Sequence, residues 1–520
     1  MPLPQPGIPW PPPQHAPGLE RMREHDAWFC GDPDRLTEVY ANRLANHPSN
    51  RPSQYRGGVT GRLARWWWGE PTPLGEKRTK LHIPVAGDLA TGSADLLFSE
   101  APQLTFEDGP TQDRWDELAD QLGLHALLCE SAEVQAALGG VYLRVGWDTA
   151  LADHPLLSVV HADRALPEWR MGMLRAVTLW TVLGSDGNTV IRHVERHELD
   201  PNGNGIVLHQ VYEGTEANLG KPIGTKAHPE TADMPEIVDP NVPGLLIDYV
   251  PNMRPNRADR GSQLGRSDYD GAEPLMDALD EVYTSWQRDI RLAKARLLMP
   301  SAYMTSLGPG KGSAADLDRE IYQQLDIPPT SDAAGITLAQ FAIRVDEHQA
   351  TAQDYMRRIV ESAGYSAQTF GLAGADGGDV TATEIHARER RSFTTRGKKA
   401  NYWTYALRRL APALLAVDAA IFENKSVPSV PDIEWPDSVS EQLLVLAQSA
   451  QALRAAEAAS TETLVRIVHP DWDDEQVTEE VRLIDEASAL TDPITLQGPG
   501  KQQPGTQEPG QSAEDDQGTE

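Results

Sequence analysis

From residue 141 the chain alternates apolar and polar positions. "VYLRVGW" sets Val141, Leu143, Val145 and Trp147 at a period of two, as a half-buried strand requires. Three further runs follow, around Leu174 to Leu183, Thr189 to His197 and Gly205 to Tyr212. They are separated by "GSDGN" and "DPNGNG", whose Gly, Asn and Asp supply the positive φ values of hairpin turns. The pattern predicts an antiparallel meander. Beyond a loop rich in Pro and Asn the period lengthens. Leu275, Leu279, Val282, Trp286, Ile290, Ala293 and Leu297 recur at steps of three and four, predicting a helix that tolerates Pro274 in its first turn and ends before Pro300. After an irregular, Gly-containing stretch, "FAIRV" alternates like a short strand. A second helix over about 346 to 363 then aligns Ala352, Tyr355, Ile359 and Ala363 and stops at Gly364.

"YSAQTFGLAGADGGD" is glycine-rich and reads as a mobile loop. Directly after it Thr381 and Glu384 form a capping box, so a new helix starts there. That helix continues through Trp403, Leu407, Leu410, Leu414 and Ile421, approaching forty residues. Upstream, "IPVAGDLATGSADLLFSE" predicts a helix with Leu89, Leu96 and Leu97 inward. Beyond Pro436 an Ala-rich helix runs to about Ala459, and two acidic helices flank Pro470. Residues 1–20 hold eight prolines and read as an extended arm. The end from Gly498 is Gln, Gly, Pro and acid without apolar periodicity, a disordered tail.

Charge sharpens this picture. The chain has 520 residues with 77 acidic against 46 basic, a formal net charge of -31, so its average surface repels phosphate. Its positive charge nevertheless gathers in "HARERRSFTTRGKK", as Arg388, Arg390, Arg391, Arg396, Lys398 and Lys399. Residues 385 to 399 offer little apolar surface beyond Ile385 and Phe393, so this half of the helix needs something polar beside it. Two cysteines exclude a disulfide framework or a zinc site, and the chain reads as made in a reducing cytosol. With no apolar run of about 18 residues and no basic-then-apolar leader, it reads as neither secreted nor membrane-spanning.

Motifs for catalysis are absent or incomplete. "GPGKGS" inserts Gly312 between the Lys and Ser of a phosphate loop. "HVERH" falls on a strand pattern, which would hold His193 and His197 about 13 Å apart as surface residues rather than on a zinc ion. "GSQLG" is not a nucleophile elbow, and "DWDDEQ" lacks the Gly and closing Glu of a calcium loop. No catalytic residue, metal ligand or cofactor is expected. Trp66, Trp67 and Trp68 are adjacent and cannot all face one core; they form either a subunit interface or a core strand edge with one exposed ring.

The order of elements resembles a tailed-bacteriophage portal protein of the Gp6-like type. The segments that carry the likeness are "NRLARWWWGEPTPLGEKRTKLHIPVAGDLATGSADLLFSE", "ALGGVYLRVGWD", "GYSAQTFGL", "TATEIHARERRSFTTRGKKANYW" and "STETLVRIVHPDWDDEQVTEEVRLIDEA". The resemblance implies an α+β portal fold: a wing 21–269 of helices and antiparallel strands, stem helices 270–299 and 346–364, a small α/β clip 300–345, a tunnel loop 365–380, a long wing helix 381–436 and a helical crown 437–490; the Pro-rich arm 1–20 and the disordered acidic tail 491–520 have no counterpart in it. It further implies a structural, non-enzymatic ring of about twelve copies at one capsid vertex. The expected partners are further copies of itself, the terminase large subunit, a head-tail adaptor, the major capsid and scaffold proteins, and double-stranded DNA passing non-specifically. Such a chain is made in the host bacterial cytoplasm, has no membrane partner and ends in the virion. The tunnel loop would present Phe370, Gly371, Leu372, Gly374, Asp376, Gly377, Gly378 and Asp379. Candidate basic residues for the DNA channel or a subunit interface are Arg291, Lys294, Arg296 and the cluster from Arg388 to Lys399; for that cluster an acidic neighbouring subunit is favoured over DNA, because phosphate contacts brake passage. The rivals are a phage-encoded metal-dependent nuclease or hydrolase, which needs a compact carboxylate constellation, and another structural minor head protein.

Overall fold

The computed structural model describes residues 3–45, 81–293, 343–372, 382–436, 450–456, 458–469 and 474–491. It also describes positions 58, 60, 62 and 472 and short strands at 296–300, 305–306, 313–314, 322–325 and 337–339. Helix and strand mix throughout, an α+β chain, in two units covering Met1–Ser438 and Val439–Glu520.

Strand Gly140–Gly146 is the middle strand of a three-stranded sheet in the first unit, paired antiparallel with Ile247–Pro251 on one side and Leu156–His161 on the other. Val141, Leu143 and Val145 pack with Trp403, Leu407 and Leu410 of the long helix, whereas Tyr142 joins Leu179, Val194 and Ile247 in a second cluster. Both faces are therefore covered, where alternation alone predicted a half-buried strand. The reason is Tyr142, whose ring is amphipathic and is buried here against Tyr249 at 4.8 Å.

Three of the four runs form the predicted meander, whereas the first, at Val141 to Val145, belongs to the separate three-stranded sheet. Ala165–Arg170, Met173–Asp186, Thr189–Leu199, Gly205–Thr215 and Asn218–Pro222 follow one another across one sheet, and Ile237–Val238 pairs beside the fourth. Gly187 at φ 57° and Gly203 at φ 92° turn its hairpins. The histidines of "HVERH" are buried rather than on the surface. His193 stacks on His209, with their ring nitrogens 3.1 Å apart, and His197 Nε2 lies 2.6 Å from Glu195 Oε1. Arg144 reaches over from the neighbouring sheet and donates to Glu195 Oε2 at 2.7 Å. Packing of one sheet on another buries this face, which the strand pattern alone does not reveal.

Residues 7–10 run along the outer strand: Gly7 N–H donates to Gly220 O, Leu219 N–H to Ile8 O and Trp10 N–H to Ala217 O. Prolines suit an edge, where no further ladder donor is needed. Trp10 sits edge-on to Trp180 at 5.6 Å. The expected arm of 1–20 is shortened, because a helix begins at Ala16 and runs to Cys30, with Pro17 accommodated in its first turn. Arg21 fastens this helix to the chain ahead of the next long helix, donating to Asp270 at 2.8 Å and to Glu273 at 2.5 Å. His25 Nε2 approaches Glu273 Oε1 at 3.3 Å. Of the three potential ligands His25, Asp270 and Glu273, the two carboxylates are already ion-paired with the Arg21 guanidinium.

Helices Glu273–Leu292 and Val345–Ala363 pack through Met276, Leu279, Ile359 and Val360. The first stops at Leu292, seven residues before Met299, and Arg296–Pro300 is a strand between Tyr322–Leu325 and Thr337–Ala339. "RLLMP" is a short apolar run that periodicity alone assigns equally to helix or strand. "FAIRV" is displaced likewise: the strand is Thr337–Ala339, and Val345 opens the helix. In the second unit, Thr461–Val468 is capped by Ser460 and packs beside Asp474–Thr491, while the Ala-rich helix ends at Ala455 rather than near Ala459.

The two histidine clusters give opposite pH dependence. His25 is pushed down by burial but raised overall by its hydrogen bonds to Asp270 and Glu273. Its stabilisation is therefore complete below its unfolded value near 6.5 and is lost as pH rises through the folded value. Burial lowers His193, and lowers His209 to about 4, so their contribution is complete above about 6.5 and falls as pH drops toward 4. In urea denaturation, His25→Gln is expected to cost more stability at about pH 6 than at about pH 8. His209→Gln is expected to flatten the loss between about pH 6.5 and 4.

Candidate functional site at the base of the glycine loop

Helix Val345–Ala363 ends because Gly364 takes φ 98°, a left-handed value that reverses the chain. Ser366 Oγ then accepts from Gln368 N–H, closing a 3-10 turn over Ala367–Phe370 that ends on Gly371 at φ 69°. This turn docks on one face of the long helix Ala382–Ile421. Arg391 donates to Glu361 O at 2.6 Å, and Thr395 Oγ1 donates to Gly364 O at 2.6 Å. Ser366 N–H donates to Ser392 Oγ at 2.9 Å, and Thr369 Oγ1 lies 2.8 Å from the same hydroxyl. Ser392, Thr395 and Lys399 are spaced as one helical stripe, and all are buried.

Lys399 ends the stripe inside the protein. Its Nζ donates to Asp268 Oδ2 at 2.7 Å and to Ser93 Oγ at 2.6 Å. Tyr365 Oη donates to the same Asp268 oxygen at 2.9 Å, and lies 2.8 Å from Ser93 Oγ. Asn252 Nδ2 donates to Asp268 Oδ1 at 2.7 Å, so both carboxylate oxygens are satisfied. Burial pulls the Lys399 ammonium below the usual lysine range against the attraction of Asp268. Burial, reinforced by the Asp268 charge, pushes Tyr365 well up. Phe370 closes the base over Gly92, where a Cβ would stand 2.6 Å from its ring.

The predicted basic cluster thus divides. Arg396 donates to Leu96 O at 2.8 Å and Pro436 O at 2.6 Å, holding backbone carbonyls of its own chain. Lys399 is buried, which corrects its placement on a channel or subunit surface: its charge is matched within the subunit. Arg391 is exposed while also holding Glu361 O, and Arg390 and Lys398 are exposed. Arg388 and Arg291 lie on helices with their side chains outside the description, Arg296 lies on a strand, and Lys294 is outside the described residues. Of the tunnel-loop residues, Phe370 is half-buried against Gly92 and Tyr365, Gly371 is exposed and Leu372 packs on the core. Gly374, Asp376, Gly377, Gly378, Asp379, Thr381 and Trp66, Trp67 and Trp68 lie outside the described residues. The reading of a wholly mobile loop is corrected for its first residues, since Tyr365 is 1% exposed. Sequence reasoning missed Tyr365, Asp268, Ser93, Ser392 and Thr395. The one available signal was the helical spacing of Ser392, Thr395 and Lys399, eclipsed by the arginine neighbours.

Residues 53–492 match the family described as phage portal protein, SPP1 Gp6-like. The chain is thereby a structural protein of bacteriophage particles. Within that class it belongs to the SPP1 Gp6-like portal family, and it is a head-tail connector portal. Among solved structures, it is similar to a chain of the neck of an empty GTA particle computed with C6 symmetry, at 14% identity, covering 74% of this chain and 90% of that one with a TM-score of 0.35. A chain of the neck of a native GTA particle computed with C12 symmetry is 12% identical over the same shares, with a TM-score of 0.34. No curated protein matches the chain.

Lys399→Met leaves Asp268 buried and uncompensated, and is expected to lower unfolding free energy by about 3–5 kcal/mol. The double variant Lys399→Met, Asp268→Asn is expected to cost less than the sum of the single changes. Additive costs in a denaturant double-mutant cycle would contradict a coupled pair.

Proposed function

We propose that about twelve copies of this chain close into a ring around a channel at one capsid vertex, through which double-stranded DNA is packaged, retained and ejected. The family match over residues 53–492 carries this reading. In it, Glu273–Leu292 and Val345–Ala363 are the stem, the small sheet around Arg296–Pro300 belongs to the clip, the glycine loop from Tyr365 lies beside the DNA, the long helix crosses the wing, and the second unit contributes to the crown. The terminase large subunit, a head-tail adaptor, and the major capsid and scaffold proteins are its partners. The chain performs no catalysis; the terminase supplies the ATP-driven work. Its site is the capsid vertex of the virion, after synthesis in the host cytoplasm.

Electrostatics supports passage without capture. Each phosphate neutralised by a lysine or arginine adds counterion-release affinity, and a basic wall would brake the duplex. The net charge of -31 opposes such adhesion, and two cations of the cluster, Arg396 and Lys399, are engaged inside the subunit. The exposed Arg390 and Lys398 remain to meet an acidic surface of the next copy, because one heterologous contact repeats around a closed ring. Arg390→Glu with Lys398→Glu is expected to yield folded subunits that fail to close rings by negative-stain microscopy. Rings as abundant as those of the unaltered chain would remove these residues from the interface.

A further inference from the structure

We propose that the recess beside the N-terminus of helix Ala16–Cys30 binds a phosphate-type oxyanion, with Arg266 as its principal cation. The recess has a volume of about 320 Å³ and is lined by Gln14, His15, Gly18, Asn256, Ser262 and Arg266, among others. Arg266 is 9% exposed, its Nε is buried without a partner, and among the described residues no side chain accepts a hydrogen bond from its guanidinium. A buried guanidinium ordinarily has a carboxylate beside it, since an uncompensated buried charge costs several kcal/mol. The nearby acids are engaged elsewhere: Asp268 with Lys399, Tyr365 and Asn252, Asp270 with Arg21, and Asp259, which also lines the recess, with the backbone N–H of Gly261. Arg257 adds positive potential rather than relieving it.

The backbone holds Arg266 in place. Its N–H donates to Met253 O at 3.0 Å, its carbonyl accepts from Asn252 Nδ2 at 3.0 Å, and a Cβ on Gly139 would meet its carbonyl carbon at 2.9 Å. The main chain from which the guanidinium extends is therefore fixed before any ligand arrives. The helix end facing the same recess supplies the second element. His15 makes no capping hydrogen bond and no acidic residue occupies the first turn, so the positive end of the helix dipole is uncompensated. Gly18 leaves its backbone bare, with nothing nearer an added Cβ than Leu264 Cδ1 at 4.0 Å. A guanidinium fork and a helix N-terminus lining one recess together with amide and hydroxyl side chains suit a tetrahedral oxyanion with several acceptors, better than chloride.

The test is thermal unfolding of the full chain in inorganic phosphate against sodium chloride at equal ionic strength. Phosphate at about 10 mM is expected to raise Tm by at least about 2 °C over chloride. Arg266→Met is expected to abolish that difference while being at least as stable as the unaltered chain in chloride, since it removes an uncompensated buried charge. A short DNA duplex at matched phosphate concentration separates the sources: a shift equal to that of phosphate assigns the ligand to the nucleic-acid backbone, and a shift only with phosphate assigns it to the free ion. Equal Tm in phosphate and chloride overturns the site, as does an undiminished response in Arg266→Met. Should that variant not fold, isothermal titration of phosphate into the unaltered chain decides, with saturable heat displaced by sulfate supporting the site and its absence overturning it.

Discussion

A single buried ion pair, Lys399 with Asp268, is the constraint around which the first unit is organised. It joins positions far apart in sequence: Ser93 on one helix, Asp268 ahead of the next long helix, Tyr365 at the loop base and Lys399 on the longest helix. In a low-dielectric interior such a network is stable only when every member is satisfied, and each removal strands the others. One turn further along the helix, Trp403 continues the anchorage: its Nε1–H donates to Gln135 at 2.9 Å and its ring meets Phe98 edge-on at 5.0 Å. Polar matching and apolar packing thus fix the same helix against the same partners.

This arrangement explains why a chain of net charge -31 concentrates cations on one helix. The helix end at Gly364 leaves terminal carbonyls beyond the regular helical ladder, and such groups take side-chain donors. Thr395 and Arg391 serve that segment, while Arg396 serves the carbonyls of Leu96 and Pro436 in two other segments. Basic side chains here act largely as hydrogen-bond donors to their own subunit. For a connector through which DNA must slide, cations used internally add nothing to the friction on the duplex.

Much of the architecture was legible in the sequence because it rests on period and punctuation. The meander followed from alternation and its Gly and Asn turns, and the helix of 40 residues ending at Ile421 followed from its apolar stripe. Gly364 terminated its helix as its lack of a Cβ allows. What period does not encode is which face meets which neighbour. The burial of Tyr142 and of His193 with His197 depends on a second layer, and the strand at Arg296–Pro300 depends on partners found later in the chain. The loop base was hidden for a similar reason. Lys399 resembles its exposed neighbours until Asp268, 131 positions away, is brought beside it.

Amide hydrogen exchange over residues 361–372, compared between isolated subunits and assembled rings, tests most directly whether the loop base is held within the subunit. Protection of Tyr365 and Ser366 already in the isolated subunit, unchanged on assembly, is the expected result. Rapid exchange in the subunit, with protection appearing only in the ring, would contradict it and would assign the cations of the long helix to the neighbouring copy.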